Sequence, residues 1–523
     1  MPKPKAFLKQ SKAKKKAEQV LETADDFQAA GVDFEEAAGK WRAGDAVKSM
    51  RFFSRAIEVY DQGLTKFPSS LDLAYNKSVS GVHHPSLLCW LFGDELTFSR
   101  ARVLLEMGTD PILANQLQIP LLDVLQQALD SHRYALSLDQ ENPDTLFNTA
   151  QVLTAIAEAY AKDPNRADQD ALQPLEEALE LQNRCLAIQE LNLEEFVQRR
   201  NEAAAQIASA NLNSEPSEPV PTKSDENHHP SASDTEDQWV SIVEPVTKDT
   251  LIETILAALA TLTTLCSVLG SSTASAPSSS LGWIEEFSST LINTKLPVLL
   301  EDAEAERIQE VVLTRAIFVS ALLEAGYRLG SINPNTYKRE RDEAFRVPEL
   351  DLEKNFAALV ANANSLMSFN AALADDDSSN AVSLASQRWN ALSAAIANMA
   401  AASKISGPVP EDIAETHFIR GNCSLLQYQL GQPPVSYQPS MGNATQLLKN
   451  ADIFYRNATK LYQDNEQKAV SQLRAVVSQA LLAGKNPIFA TAEHDWGRGG
   501  DWAKSQIEDM VDDGLILPTP DVQ

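Results

Sequence analysis

Apolar residues recur three and four positions apart in segment after segment, separated mainly by Ala, Gln, Glu and other polar residues. At 3.6 residues per turn, that spacing returns successive apolar side chains to one face, which predicts amphipathic helices. No stretch alternates β-branched and polar residues for long enough to predict a strand. The breaks fall at clusters of Pro, Gly, Asn and Asp. The pattern predicts an all-α protein.

The helices come in pairs. In FFSRAIEVYDQGLTKFPSS, Ala56, Tyr60, Gly63, Leu64 and Pro68 are spaced like the second helix of a tetratricopeptide repeat. Ala128, Ala135 and Leu136 repeat that spacing before Asn142–Pro143, and Ala178, Cys185 and Leu186 repeat it again. Small residues at such positions let helices approach closely, and large ones fill the grooves between them. Leu146 and Ala150 supply the large-then-small pair of a first helix. The expected fold is an all-α, tetratricopeptide-like helix-pair solenoid.

Composition divides the chain further. Residues 1–30 form a basic segment expected to be partly disordered, and 31–200 hold the N-terminal helices. Residues 201–238, rich in Ser, Pro, Glu and Asp, read as an acidic linker. Helical patterning returns over 239–480, notably in SQRWNALSAAIANM, ETHFIRGNCSLLQYQLG and LLKNADIFYRNATKLYQD. Residues 481–523 read as an acidic capping segment, which a stack of helix pairs needs at its end. The apolar run 251–270 contains Glu253 and four threonines and predicts a buried repeat helix rather than a membrane span.

One segment breaks the register. With Pro68 closing a repeat, Leu71 and Ala74 open the next, but Gly81 and Pro85 then fall in mid-helix. Joining Lys77 to Ala101 restores an uninterrupted LAYNKARVLLEMGTDP, with small Ala101 and large Leu104 where the repeat wants them. The intervening Ser78–Arg100, with its apolar SLLCWLF, is an aggregation hazard as a loop. Its boundary codons admit splice signals, so it reads as translated intron; the alternative is a genuine insertion. Transcripts crossing directly from the Lys77 codon to Ala101 would decide for the intron.

Charge changes the picture more than chemistry does. The first 16 residues carry seven lysines and no acid, leaving 37 basic against 72 acidic residues beyond them, a net of −35. Such a surface repels nucleic acid and anionic lipid and attracts basic proteins. Cys89, Cys185, Cys266 and Cys423 are too dispersed for a disulfide framework or a zinc site. The doublets His83–His84 and His228–His229 lack metal-ligand spacing. No phosphate-binding loop, nucleophile elbow or kinase set is present, and WGRGGD at 496–501 reads as a turn. The acidic pairs Asp25–Asp26, Glu35–Glu36, Glu176–Glu177 and Asp512–Asp513 read as solvated helix faces. The chain is expected to be non-enzymatic, with no cofactor and no metal.

Recognition remains. If Pro143 opens a repeat, Asp144, Phe147, Asn148 and Gln151 point toward its binding face, where they are the candidate partner contacts. A co-chaperone clamp for an acidic terminal peptide would need Lys, Asn and Arg in the groove. Asn76–Lys77 fits that pattern, but Gly44–Asp45 stands where the clamp wants asparagine. The lysine-rich start, AAGKWRAGDAVKSMRFFSRAIEVYDQGLTKFP, the acidic linker and DQWVSIVEPVTKDTLIETILAALATLTTLC together resemble a fungal tetratricopeptide family of dedicated assembly chaperones. The family's implied client is large-subunit ribosomal protein four, a very basic protein with a long internal loop. The resemblance implies capture and shielding of that newly made protein and escort to nuclear pre-ribosomes. It also implies cytoplasmic and nuclear residence, and no direct binding of nucleic acid or membrane. The basic start would serve nuclear import machinery, or else form a solubilising tail. The alternatives are a heat-shock co-chaperone and a general interaction scaffold.

Overall fold

A computed structural model describes residues 21–42, 44–70, 100–163, 166–212, 246–271, 279–375, 378–492, 494, 496–498 and 500–518. Among these residues there is no strand, and helices follow one another throughout. Both histidine doublets, Asn76–Lys77 and Ser78–Ser99 lie outside the described residues, as does the linker beyond Leu212. The chain forms two compact units.

The first unit contains α1 (Ala24–Gly39), α2 (Ala46–Lys66), α3 (Arg100–Thr109), α4 (Leu121–Leu138) and the opening turns of α5 (Pro143–Ala161). Helix α1 starts earlier than residue 31 because Thr23 and Asp26 form a capping box. The Thr23 hydroxyl accepts from the Asp26 amide at 3.2 Å, and the Asp26 carboxylate accepts from the Thr23 amide at 2.9 Å. Gly44 and Asp45 lie in the turn between α1 and α2, so neither is a groove position. The Asp45 carboxylate instead accepts from the Lys48 amide at 2.9 Å and caps α2. The buried Ser49 hydroxyl donates to the Ala38 carbonyl at 2.9 Å, closing that turn.

What sets the spacing of α1 and α2 is Gly31. A Cβ there would lie 2.3 Å from the ring of fully buried Tyr60, so only a bare backbone admits the ring. Ala56 and Gly63, one helical turn on either side of Tyr60, are buried as the repeat spacing predicts. Tyr60 donates a hydrogen bond to Glu35, which is 2% exposed; this member of an acidic pair belongs to the core, not to a solvated face. In the next pair His132 takes the tyrosine's place four residues after Ala128, and it hydrogen-bonds the Ala101 carbonyl. Ala101 is fully buried and Leu104 is 4% exposed, matching the small and large positions read across the 78–100 segment.

The second unit takes the rest of α5 and adds α6 (Leu172–Leu212), α7 (Lys248–Ser271), α8 (Ser279–Ser289) and α9 (Ala305–Arg328). It continues through α10 (Pro334–Ala344), α11 (Phe356–Ala374), α12 (Ser378–Ala402) and α13 (Pro410–Gln429). It ends with α14 (Gln438–Leu461), α15 (Asn465–Leu482) and α16 (Gly500–Asp512). Most helices pack on their chain neighbours, and α7 and α9 pack on each other, the packing of a helical repeat solenoid. Helix α6 runs twelve residues past the expected linker boundary, because NEAAAQIASANL is alanine-rich and free of Pro and Gly.

The threonines of α7 explain how a membrane-length apolar run becomes a core helix. Thr254 donates to Gln189 at 2.8 Å, Gln182 donates to Thr261 at 3.0 Å, and the Thr154 and Thr261 hydroxyls pair at 3.0 Å. These buried bonds tie α7 to α5 and α6. Among the described residues α7 and α11 are long and apolar enough to cross a membrane, and their apolar windows are 72% and 56% buried.

Helices α13 and α14 repeat the first pair's device. A Cβ on Gly421 would meet the Tyr455 ring at 2.5 Å, and Ala451 and Ala458 flank that tyrosine, both fully buried. Substituting Ala at Gly31 or Gly421 is therefore expected to destabilise the protein by about 1–3 kcal/mol, despite alanine's better helix propensity. At Gly442, within α14 and with no atom near its added Cβ, the same change should stabilise by about 0.5–1 kcal/mol. Denaturant midpoints of the three variants check the difference in sign.

Candidate binding surface

Helix α5 begins where the sequence places it. The Asn142 side chain accepts from the Thr145 amide at 3.0 Å, and Pro143 fills the first helical position, where no amide is needed. Thr145, Leu146, Thr149, Ala150 and Leu153 are buried. Their burial leaves Asp144, Phe147, Asn148 and Gln151 half-buried, at helical spacing on one face. The four predicted residues are thus brought together. The Asn148 amide donates to the Asp144 carbonyl at 2.9 Å, which orients its carbonyl oxygen away from its own helix.

In the second unit, carboxylates gather around the few cations of α7 and α9. Arg307 lies 2.8 Å from Glu310, 3.3 Å from Asp249 and 3.3 Å from Glu253. Burial acts to lower the Arg307 guanidinium, but Glu310, Glu253 and Asp249 outweigh it and hold it above its ordinary value. Burial raises the Glu310 carboxyl, and Glu253 and Asp249 add to that against the pull of Arg307. One positive charge thus faces three negative ones. Two lysines of this unit are met by single acids: Lys248 is 3.4 Å from Asp302, and Lys295 bonds Glu190. The sequence shows the acidic surplus but not this convergence, because Asp249 and Glu253 lie on a different helix from Arg307 and Glu310.

Cys185, Cys266 and Cys423 are buried, and burial pushes the Cys266 and Cys423 thiols up to about 12, which keeps them protonated. Among the described residues no group of three or more His, Cys, Asp or Glu side chains could hold a metal ion. Gly497 and Arg498 of the WGRGGD stretch sit in bends, and α16 begins at Gly500.

No established family profile matches the chain. Its relatives include two fungal proteins. Over 184 residues it is 32% identical to "UPF0656 protein C926.02" of Schizosaccharomyces pombe, covering 34% of this chain and 35% of that protein. Over 72 residues it is 40% identical to "Uncharacterized protein YNL193W" of Saccharomyces cerevisiae, covering 14% and 13% of the two chains. The match therefore spans about a third of the fission-yeast relative's length. Among solved structures, a circular tandem repeat protein with novel repeat topology aligns at a TM-score of 0.30 and 12% identity, covering 94% of this chain and 98% of that one. A score that low carries no argument about fold or function.

Proposed function

We propose that this protein is a non-enzymatic, tetratricopeptide-like holder of a basic protein client, acting as a dedicated chaperone for a newly made ribosomal protein. The observation that carries the reading is the negative surplus: a net of −35 beyond the first 16 residues, concentrated at a site where three carboxylates face Arg307. Helix pairs offer long surfaces suited to an extended ligand, and an acidic one suits a lysine- and arginine-rich segment. The half-buried Asp144, Phe147, Asn148 and Gln151 combine an acid, amides and an aromatic ring in a form such a segment can use. The resemblance to fungal assembly chaperones supports a large-subunit ribosomal protein as client, with escort from cytoplasm to nucleus through the basic start.

The purified protein is expected to bind a basic ribosomal protein, with affinity falling roughly tenfold or more between about 50 and 300 mM salt as screening shortens. Calorimetric titration at several salt concentrations measures this. Salt-insensitive binding to an acidic chaperone-tail peptide would replace the reading with a co-chaperone clamp. Affinity purification soon after client synthesis, followed by mass spectrometry, would identify the client.

A further inference from the structure

Several exposed or half-buried rings of this chain carry one of its own cations. The Lys48 Nζ lies 3.0 Å over Trp41, Arg166 lies 4.2 Å over Tyr160, and Arg498 lies 5.5 Å over Trp502. Trp283 on α8 differs. At 48% it is the most exposed of the described tryptophans, yet no lysine or arginine lies over its ring among the described residues. The ring is nonetheless held in place. Phe287, one turn on, stacks against it with ring centres 5.6 Å apart and planes 7° from parallel. Leu281, Ile284, Ser288 and Leu291 are buried and anchor the helix from behind. With Phe287 on one side, the exposed part of the indole is its other face. Phe196 and Phe489 are exposed too, but neither stacks on a second ring among the described residues.

Charge around the ring is negative and unmatched. Glu285 and Glu286 are both exposed, and neither has a cation within salt-bridge distance among the described residues. Lys295, the sole cation of residues 279–300, is taken by Glu190. Positions three and four apart share a helix face, so Trp283, Glu286 and Phe287 form one patch, a fixed aromatic face with a carboxylate at its edge. That combination suits a cation, which the ring attracts through its electron-rich face and the carboxylate through its charge. An apolar partner fits less well, because covering Trp283 would also take the adjacent Glu286 out of water. Shape favours arginine over lysine. A guanidinium is planar and weakly hydrated, so it can lie flat on an indole while its N–H groups point sideways to a carboxylate.

We infer that Trp283, Glu286 and Phe287 form a binding patch for an arginine side chain of a basic protein segment. The inference rests on the basic-client reading and adds to it a place and a residue preference. The probes are two fluorescein-labelled peptides of equal charge, Gly-Ser-Arg-Gly-Ser-Arg-Gly-Ser-Arg-Gly and its lysine counterpart, measured by anisotropy with the full chain. The arginine peptide is expected to bind about twofold or more tighter than the lysine one. Trp283→Leu alters no charge, so it leaves long-range attraction intact and removes only the ring contact. It should weaken the arginine peptide about threefold or more and bring the two peptides to similar affinities. Trp283→Phe should recover part of the preference, and Glu286→Gln should weaken both peptides. Retained binding of the lysine peptide by Trp283→Leu shows that the variant is folded. Equal binding of the two peptides to the unaltered protein would overturn the patch and leave the acidic-holder reading standing. So would undiminished arginine binding in Trp283→Leu or in Glu286→Gln. If neither peptide binds the unaltered protein, that reading itself fails, and the patch with it.

Discussion

Replacing Arg42 by methionine is expected to destabilise the first unit by about 3–5 kcal/mol, among the largest effects of any single substitution in it. Arg42 lies in the turn after α1 and reaches α3, where it pairs with Glu106 and comes within 3.7 Å of Asp110. The two carboxylates are only 7% and 6% exposed. They sit one turn apart and both face the Arg42 guanidinium, which also lies 5.9 Å over the Phe53 ring of α2. Methionine keeps much of the volume but takes the guanidinium away from two acids held in a low-dielectric site. The cost is the penalty for removing one partner of a buried ionic cluster rather than the worth of the ion pair itself. A triple variant, Arg42→Met with Glu106→Gln and Asp110→Asn, should recover most of the loss. Because two units need not unfold together, the readout is hydrogen exchange at the amides of α1, α2 and α3 rather than one global midpoint. Equal protection in Arg42→Met and the unaltered protein would show that water, not Arg42, neutralises the two acids.

The repeat was legible because its signal is local. Ala56, Tyr60 and Gly63 announce the buried stripe of a second helix, and the structure buries all three. Ala101 and Leu104 were placed by register across 23 residues that break it, and both are buried where that register puts them. The partner of each stripe was harder to find. Gly31, which admits Tyr60, lies farther back in the sequence than a short repeat puts its small first-helix residue, because α1 and α2 are longer than such helices. The end of α6 was misread for a compositional reason: an alanine-rich stretch next to an acidic, serine-rich one was grouped with it, although its helix propensity is high.

The candidate surface divides the same way. Asp144, Phe147, Asn148 and Gln151 were found because one helix's register places them together. The sets Arg42 with Glu106 and Asp110, and Arg307 with Asp249 and Glu253, each join residues from distant segments of the chain. No pattern within one helix shows which acid will meet which arginine. Burial of Glu35 follows the same logic. Its neighbour Glu36 stays in solvent and pairs with Lys40, while Glu35 turns inward to Tyr60 through a contact with another helix.

Acidification should expose the second large effect, through His132. The ring is fully buried on α4, in the place that Tyr60 holds in the pair before it. Burial, reinforced by the Arg102 cation, pushes its pKa down to about 3, while its bond to the Ala101 carbonyl pulls weakly the other way. In the unfolded chain the imidazole titrates near 6.5. Below that value the unfolded state takes up a proton that the folded state refuses, so the contribution is fully present above pH 6.5. It is lost progressively as pH falls toward 3. At about 1.4 kcal/mol per unit, the loss from this one side chain should reach roughly 2–3 kcal/mol by about pH 4.5. Carboxylates elsewhere also titrate there, so the decisive quantity is the difference from His132→Gln. Glutamine is neutral at every pH, and Gln182 occupies the matching place, four residues after Ala178, where it is buried. The variant should be the less stable protein at pH 7.5, and the gap should close or reverse by about pH 4.5. Parallel stability curves across that range would mean that His132 becomes protonated within the fold, and that α3 and α4 part far enough to let water reach it.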